Sequence, residues 1–154
     1  MPIKNHHQEP FSQETIAKLE IFEDYAQAWI PTFVMQGREE ICIFDFFAGP
    51  GYDIAGTPGS PIRILSRIKE FINGISQKGV KVKLFLNEFD VEKYTTLKVS
   101  CSEYLKKNEE IRKAVSVEYF NKEFDTAFTE LFPIINSHPS LVYLYSRRLI
   151  FGLF

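Results

Sequence analysis

Two stretches of the chain carry residue types able to do chemistry together. One is the glycine-rich run Ala48-Gly49-Pro50-Gly51, where glycine lets a backbone turn tightly and approach a ligand with no side chain in the way. The other is Glu88, 43 positions after Asp45, at the end of the apolar run Val80–Leu86. A carboxylate at a strand end can accept hydrogen bonds from both hydroxyls of a ribose. Each signal alone is commonplace, since Gly-x-Gly is as often a plain turn and a strand-end acid usually faces water. The pair, in this order at the ends of neighbouring strands, describes an adenosine-type site. Gly-Lys-Ser/Thr is missing, so this is not a phosphate-cradling loop, and Ile54 stands where the dinucleotide fingerprint needs its third glycine. An adenosine ligand without a pyrophosphate fits better, and S-adenosylmethionine is the first candidate.

Other reactive side chains lack partners at useful spacing. His6-His7 has no third metal ligand nearby and reads as part of a solvated tail; no metal site is expected. Cys42, Cys101 and His138 match no nucleophile signature, and Cys101 falls on an apolar helical stripe, as a buried structural thiol would. Lys106-Lys107 and Arg112-Lys113 lack interleaved aromatics, so nucleic-acid contact is only weakly supported.

Those residues need elements to position them, and the periodicity supplies a regular series. Ile16, Leu19, Phe22, Tyr25, Ala26, Trp29 and Ile30 form one helical stripe, with Ser12 as N-cap and Pro31 as its end or kink. Glu40–Phe44 is a short, nearly unbroken apolar strand, as expected where both faces are covered. Ser60 as N-cap and Pro61 as first helical residue open a second helix through Ile64, Leu65, Ile68, Phe71, Ile72 and Ile75. After the strand Val80–Leu86, Asp90 caps a third helix carrying Tyr94, Leu97, Cys101, Tyr104 and Leu105. A third strand spans Val115–Phe120, a fourth helix turns Phe124, Phe128, Leu131 and Phe132 inward, and a fourth strand spans Leu141–Tyr145. Strict alternation of strand and helix predicts an α/β, doubly wound, Rossmann-like parallel sheet with an N-terminal helix. Residues 1–11 form a tail, and residues 12–154 form one domain.

Composition agrees with that reading. With 154 residues, 45% hydrophobic and 25% charged, the chain fits one globular domain. Fifteen Phe and seven Tyr provide ample apolar area for a core. Two cysteines cannot make a disulfide framework and fit a reducing compartment. No apolar run reaches the roughly 18 residues that span a membrane, and no apolar leader opens the chain. A cytoplasmic protein with no membrane contact is expected. Residues 1–60 hold nine acids and three bases, whereas residues 61–154 hold fifteen bases and eleven acids.

Asp45-Phe46-Phe47-Ala48-Gly49-Pro50-Gly51, followed by Gly59-Ser60-Pro61, resembles the signature of the three-Cys-motif partner proteins. The upstream Lys18–Phe22, Tyr25 and Ala28-Trp29-Ile30-Pro31 are similar to the helix preceding it in that family. The likeness runs over about residues 12–145. It implies a bacterial or phage-associated protein with a class I methyltransferase-like fold. It also implies a cofactor site at Asp45, Ala48, Gly49, Gly51 and Glu88, and a genomically neighbouring protein with three cysteines as partner. The chain departs from the pattern after the fourth strand. Family members resemble Phe-Ile-Asp-Pro-Phe-Gly there, whereas this chain reads Val142-Tyr143-Leu144-Tyr145-Ser146-Arg147-Arg148. A methyltransferase-like sheet also needs about three further strands. The expectation is therefore an incomplete sheet from a truncated or frameshifted product, inactive in methyl transfer, with residues 141–154 poorly packed. A non-catalytic protein acting with the three-cysteine neighbour is the alternative.

Overall fold

A computed structural model describes residues 9–145 and 149–153. The first helix, α1 (Gln13–Met35), starts where Ser12 accepts a hydrogen bond from the Thr15 amide at 3.1 Å. It buries Leu19, Phe22, Ala26, Trp29, Ile30 and Val34. Among the described residues, the Trp29 indole N–H has no hydrogen-bond partner. Of the end or kink expected at Pro31, the end does not occur, and the helix runs on to Met35. Pro31 removes the backbone donor that would reach the Gln27 carbonyl, but buried Trp29, Ile30 and Val34 keep the last turn docked. The chain reverses instead at Gly37, whose φ of 69° lies in the left-handed region.

Four strands lie parallel: β1 (Glu40–Asp45), β2 (Lys81–Asn87), β3 (Val115–Phe120) and β4 (Ser140–Tyr145), in the order β3-β2-β1-β4. Asp45 pairs in register with Leu86 on one side and Tyr143 on the other, so the carboxyl ends of three strands form one edge. The chain moves outward from β1 through β2 to β3, then returns to place β4 on the other side of β1. The strand order therefore reverses between β1 and β4. A fifth strand, β5 (Leu149–Leu153), pairs antiparallel with β4. That strand corrects the expectation of four strands with a trailing end. The expected poor packing is corrected as well for Leu141, Val142 and Tyr143, each at most 1% exposed.

The remaining helices are α2 (Ser60–Glu70), α3 (Ile72–Lys78), α4 (Val91–Lys107), the single turn α5 (Glu109–Arg112) and α6 (Phe124–Ser137). The expected second helix is thus two. At Phe71 the backbone leaves the helical region (φ −101°, ψ 12°), and its amide bonds only three residues back, to Ile68. Asn73-Gly74 just beyond offers little helix propensity to carry the turn through. Asp90 caps α4 as expected, accepting from the Glu92 and Lys93 amides at 3.0 Å each.

Alternate residues of each strand enter two cores. Ile41, Ile43, Val82, Leu84 and Leu86 pack with α1 through α5 on one face. Cys42, Phe44, Phe46, Phe85 and Val142 pack with Ala127, Leu131 and Ile135 of α6 on the other. Burial on both faces is why these strands read as continuous apolar runs. Each such side chain contributes roughly 1.5–3 kcal/mol by leaving water. Among the described residues α6 is the one helix in the second core, and Phe132, expected inward, is 44% exposed. The α1–α2 contact includes a half-buried ion cluster, in which Glu23 receives Arg63 at 2.9 Å and Arg67 at 2.7 Å. No helix among the described residues is long and apolar enough to cross a membrane.

Candidate functional site

The turn after β1 is built on a buried carboxylate. Asp45 is 2% exposed; its Oδ1 accepts the Phe47 amide at 3.1 Å, and its Oδ2 accepts the Ser60 hydroxyl. Burial pushes its carboxyl up to about 7, the Ser60 and Phe47 hydrogen bonds pull it down, and the Glu88 charge adds to the rise. Asp45 therefore ties the glycine turn to the start of α2 from beneath, with both oxygens in use. Ser60 is not the N-cap expected of it. Gly59 occupies that position, and the Ser60 hydroxyl is directed to Asp45 instead.

The two glycines of the turn do different work. Gly49 has φ 70°, and a β-carbon there would meet nothing within 4 Å, so its side-chain direction is open space at the cleft. Gly51 has φ 97°, and a β-carbon there would sit 2.7 Å from the Ser100 β-carbon. The Ser100 hydroxyl donates to the Pro50 carbonyl at 3.0 Å. Gly51 is therefore what allows α4 to press against the turn.

Asn87, a residue that sequence reasoning did not single out, joins three loops at this edge. Its carbonyl accepts the Ala48 amide at 3.0 Å. Its side-chain amide donates to the Phe46 carbonyl (3.3 Å) and the Lys122 carbonyl (3.0 Å), and its Oδ1 accepts the Lys122 amide (3.2 Å). An amide side chain closing the apolar run of β2, immediately before Glu88, was the available signal. Next to it, the Glu88 amide donates to the Phe120 carbonyl at 2.9 Å, which aligns the backbone that presents the carboxylate. Glu88 is half-buried; burial raises its carboxyl above the ordinary range, and nearby Lys93 opposes the rise.

These parts enclose a cleft of about 530 Å³ at the strand-order reversal. The turn Phe47–Pro50 with Gly59 and Ser60 forms one wall, Glu88 and Lys93 a second, and Tyr143 of β4 also borders it. The segment Glu9–Ser12, with Thr15 and Leu19 of α1, makes the third wall. Asp53 holds that segment to the loop by accepting the amides of Phe11 (2.8 Å), Ala55 (2.9 Å) and Thr57 (2.7 Å). Desolvation raises the Asp53 carboxyl, but these amides outweigh it and leave the group below its ordinary value. Of the five residues expected in the site, Ala48, Gly49 and Glu88 line one cleft, whereas Asp45 and Gly51 support it from outside the lining.

A half-buried carboxylate opposite an open glycine turn can take a diol on one side and a flat or extended group along the backbone on the other. Such a cleft also lies within the volume range of small-molecule sites. No group of three His, Cys, Asp or Glu among the described residues is placed to hold a metal ion. Cys42 and Cys101 are buried thiols that burial pushes up to about 12, which leaves them unreactive near neutrality. His6, His7, Arg147 and Arg148 lie outside the described residues. No model of a known protein family matches the chain, and neither does any curated protein.

Proposed function

We propose that the cleft binds S-adenosylmethionine, and that the protein is a methyltransferase-like member of the three-Cys-motif partner proteins. The observation that carries this reading is that Glu88 and the Ala48–Gly49 turn, far apart in sequence, line one cleft at the strand-order reversal. In such sheets that is where nucleoside ligands sit. Glu88 would take the ribose hydroxyls. The open side of Gly49 would let the amino-acid portion of the cofactor run along the backbone, while Asp45, Asn87 and Gly51 hold the turn in place. When bound, the cofactor supplies an electrophilic methyl group. The chain's own residues bind and orient it, and Phe47, Leu19 and Tyr143 exclude water from part of the cleft. After β4 the sequence runs Ser146-Arg147-Arg148, with neither the acid nor the proline of the family pattern. That departure favours, as a second reading, cofactor binding without transfer, in a protein that acts through a three-cysteine neighbour.

Titration calorimetry with S-adenosylmethionine and S-adenosylhomocysteine tests the site. Loss of the paired, charge-assisted hydrogen bonds in Glu88→Ala should weaken binding by roughly ten- to a hundredfold, about 1.5–3 kcal/mol. Absence of binding to either compound, or equal affinity in the variant and the parent, would overturn the assignment. Methyl transfer to protein or nucleic acid with labelled cofactor separates the two readings.

A further inference from the structure

Among the described residues, Lys93 is the one basic residue that lines the cleft. It stands in the first turn of α4, where the helix dipole favours acids, and Asp90 accepts its amide at 3.0 Å. The residue is half-buried. Among the described residues no carboxylate pairs with its ammonium, whereas Lys83 has Glu40 at 3.1 Å and Lys69 has Glu110 at 3.5 Å. Glu88 is near enough to feel the charge, but no ion pair joins the two, and burial holds the Glu88 carboxyl above the ordinary range against the pull of Lys93. A cation set against a dipole, partly out of water and without a counter-ion, is costly, and such costs gather at binding sites.

Much of the other polar lining is already committed. Asp53 accepts three amides, the Ser60 hydroxyl donates to Asp45, and the Ser12 hydroxyl is held by Thr15. Lys93 is carried by the helix that leans on the glycine turn. Ser100, two turns further along α4, donates to the Pro50 carbonyl at 3.0 Å. From the start of that helix, the flexible four-carbon stem of a lysine gives its charge reach along the wall of the cleft. One cavity thus holds a carboxylate for hydroxyls at Glu88, a cation for an anion at Lys93, and the open side of Gly49.

We propose that Lys93 is a specificity-determining residue of the cleft, which receives the carboxylate of the ligand's amino-acid portion while Glu88 takes the ribose. This selection rests on the cleft being an S-adenosylmethionine site, and it names the end of the ligand that is selected. The ammonium would donate charge-assisted hydrogen bonds to the carboxylate, in a partly dry cleft where such bonds are strong. A nucleoside without a carboxylate would still reach Glu88, but it would shut Lys93 away from water with no counter-charge.

The test compares the full parent chain with Lys93→Met by titration calorimetry, using S-adenosylhomocysteine and 5′-methylthioadenosine. The two compounds share the nucleoside and the thioether sulfur, and only the first carries the amino-acid end. Lys93→Met should weaken S-adenosylhomocysteine roughly tenfold or more. The same variant should leave 5′-methylthioadenosine within about twofold of the parent, which also shows that the site is still folded. Lys93→Arg keeps the charge and should retain most of the affinity for S-adenosylhomocysteine. Equal weakening of both compounds would overturn the proposal and leave the nucleoside site standing, because it would make Lys93 a support for Glu88 alone. Unchanged binding of both would overturn it too. Failure of both compounds to bind the parent would strike down the cofactor reading itself, and the role of Lys93 with it.

Discussion

Gly49 and Gly51 stand two positions apart and have opposite surroundings, so the same substitution should act on different properties. Gly49→Ala adds a methyl group to open space in the cleft. It should cost about 1–2 kcal/mol through its left-handed backbone and block ligand binding, while the protein stays folded. Gly51→Ala drives a β-carbon against Ser100 in addition to its positive φ. It should lose about 3 kcal/mol or more of stability, and its binding defect should track the unfolded fraction. Urea melts together with calorimetry on both variants separate the two; equal stability of the pair would contradict the packing role of Gly51. Asp45 governs a pH dependence. Its carboxyl rises from 3.8 in the unfolded chain to about 7 when folded. At pH values below about 4 both states hold the proton, and Asp45 contributes no slope. Between about pH 4 and about pH 7 only the unfolded chain ionises, so stability should fall as pH rises, then level off above about 7. Asp45→Asn should remove that fall, seen as a shrinking gap between variant and parent urea midpoints at about pH 5 and a wide one at about pH 8. Parallel midpoint curves for the two proteins would refute it.

Elements whose cause is local were readable from residue types alone. Ser12 and Asp90 cap the helices assigned to them, and the strands at Glu40, Lys81, Val115 and Ser140 start within one residue of their expected positions. Where a distant partner decides, the reading failed. Ser60 left its capping role because Asp45, fifteen positions earlier, needed a donor in a dry site. Pro31 stays inside α1 because burial of Trp29, Ile30 and Val34 outweighs one missing amide. Phe132 lies outward because Leu131 and Ile135 already fill the space beneath α6. Of the cleft, the turn and Glu88 were legible. The distinct tasks of Gly49 and Gly51, and the amide of Asn87, depend on contacts with Ser100, Phe46 and Lys122 that no local pattern carries. The joint between α1 and α2 is another such contact. Glu23→Ala would leave Arg63 and Arg67 without their shared half-buried carboxylate and should cost about 2 kcal/mol in urea unfolding. A loss below about 0.5 kcal/mol would mean that solvent screens the cluster completely.

At the scale of the whole molecule, the sheet divides its tasks by face and by edge. Five helices seal one face, α6 alone covers the other among the described residues, and the carboxyl edge holds the cleft. The parallel order β3-β2-β1-β4 and the reversal beside β1 follow from alternating strands and helices, which is why the position of the cleft was foreseeable. The antiparallel β5 was not, because a strand so close after β4 breaks that alternation.

The chain has a single tryptophan, and Trp29 is 4% exposed in α1, among apolar neighbours and outside the lining of the cleft. With no hydrogen bond to its indole N–H among the described residues, its excited state should relax little, and its emission should lie towards the blue. The protein thereby carries a built-in optical gauge of whether α1 is docked. Its emission should shift red in one step with global unfolding and stay in place when a nucleoside fills the cleft. A red shift on ligand addition under native conditions would mean that α1 swings away from the sheet as the cleft is occupied.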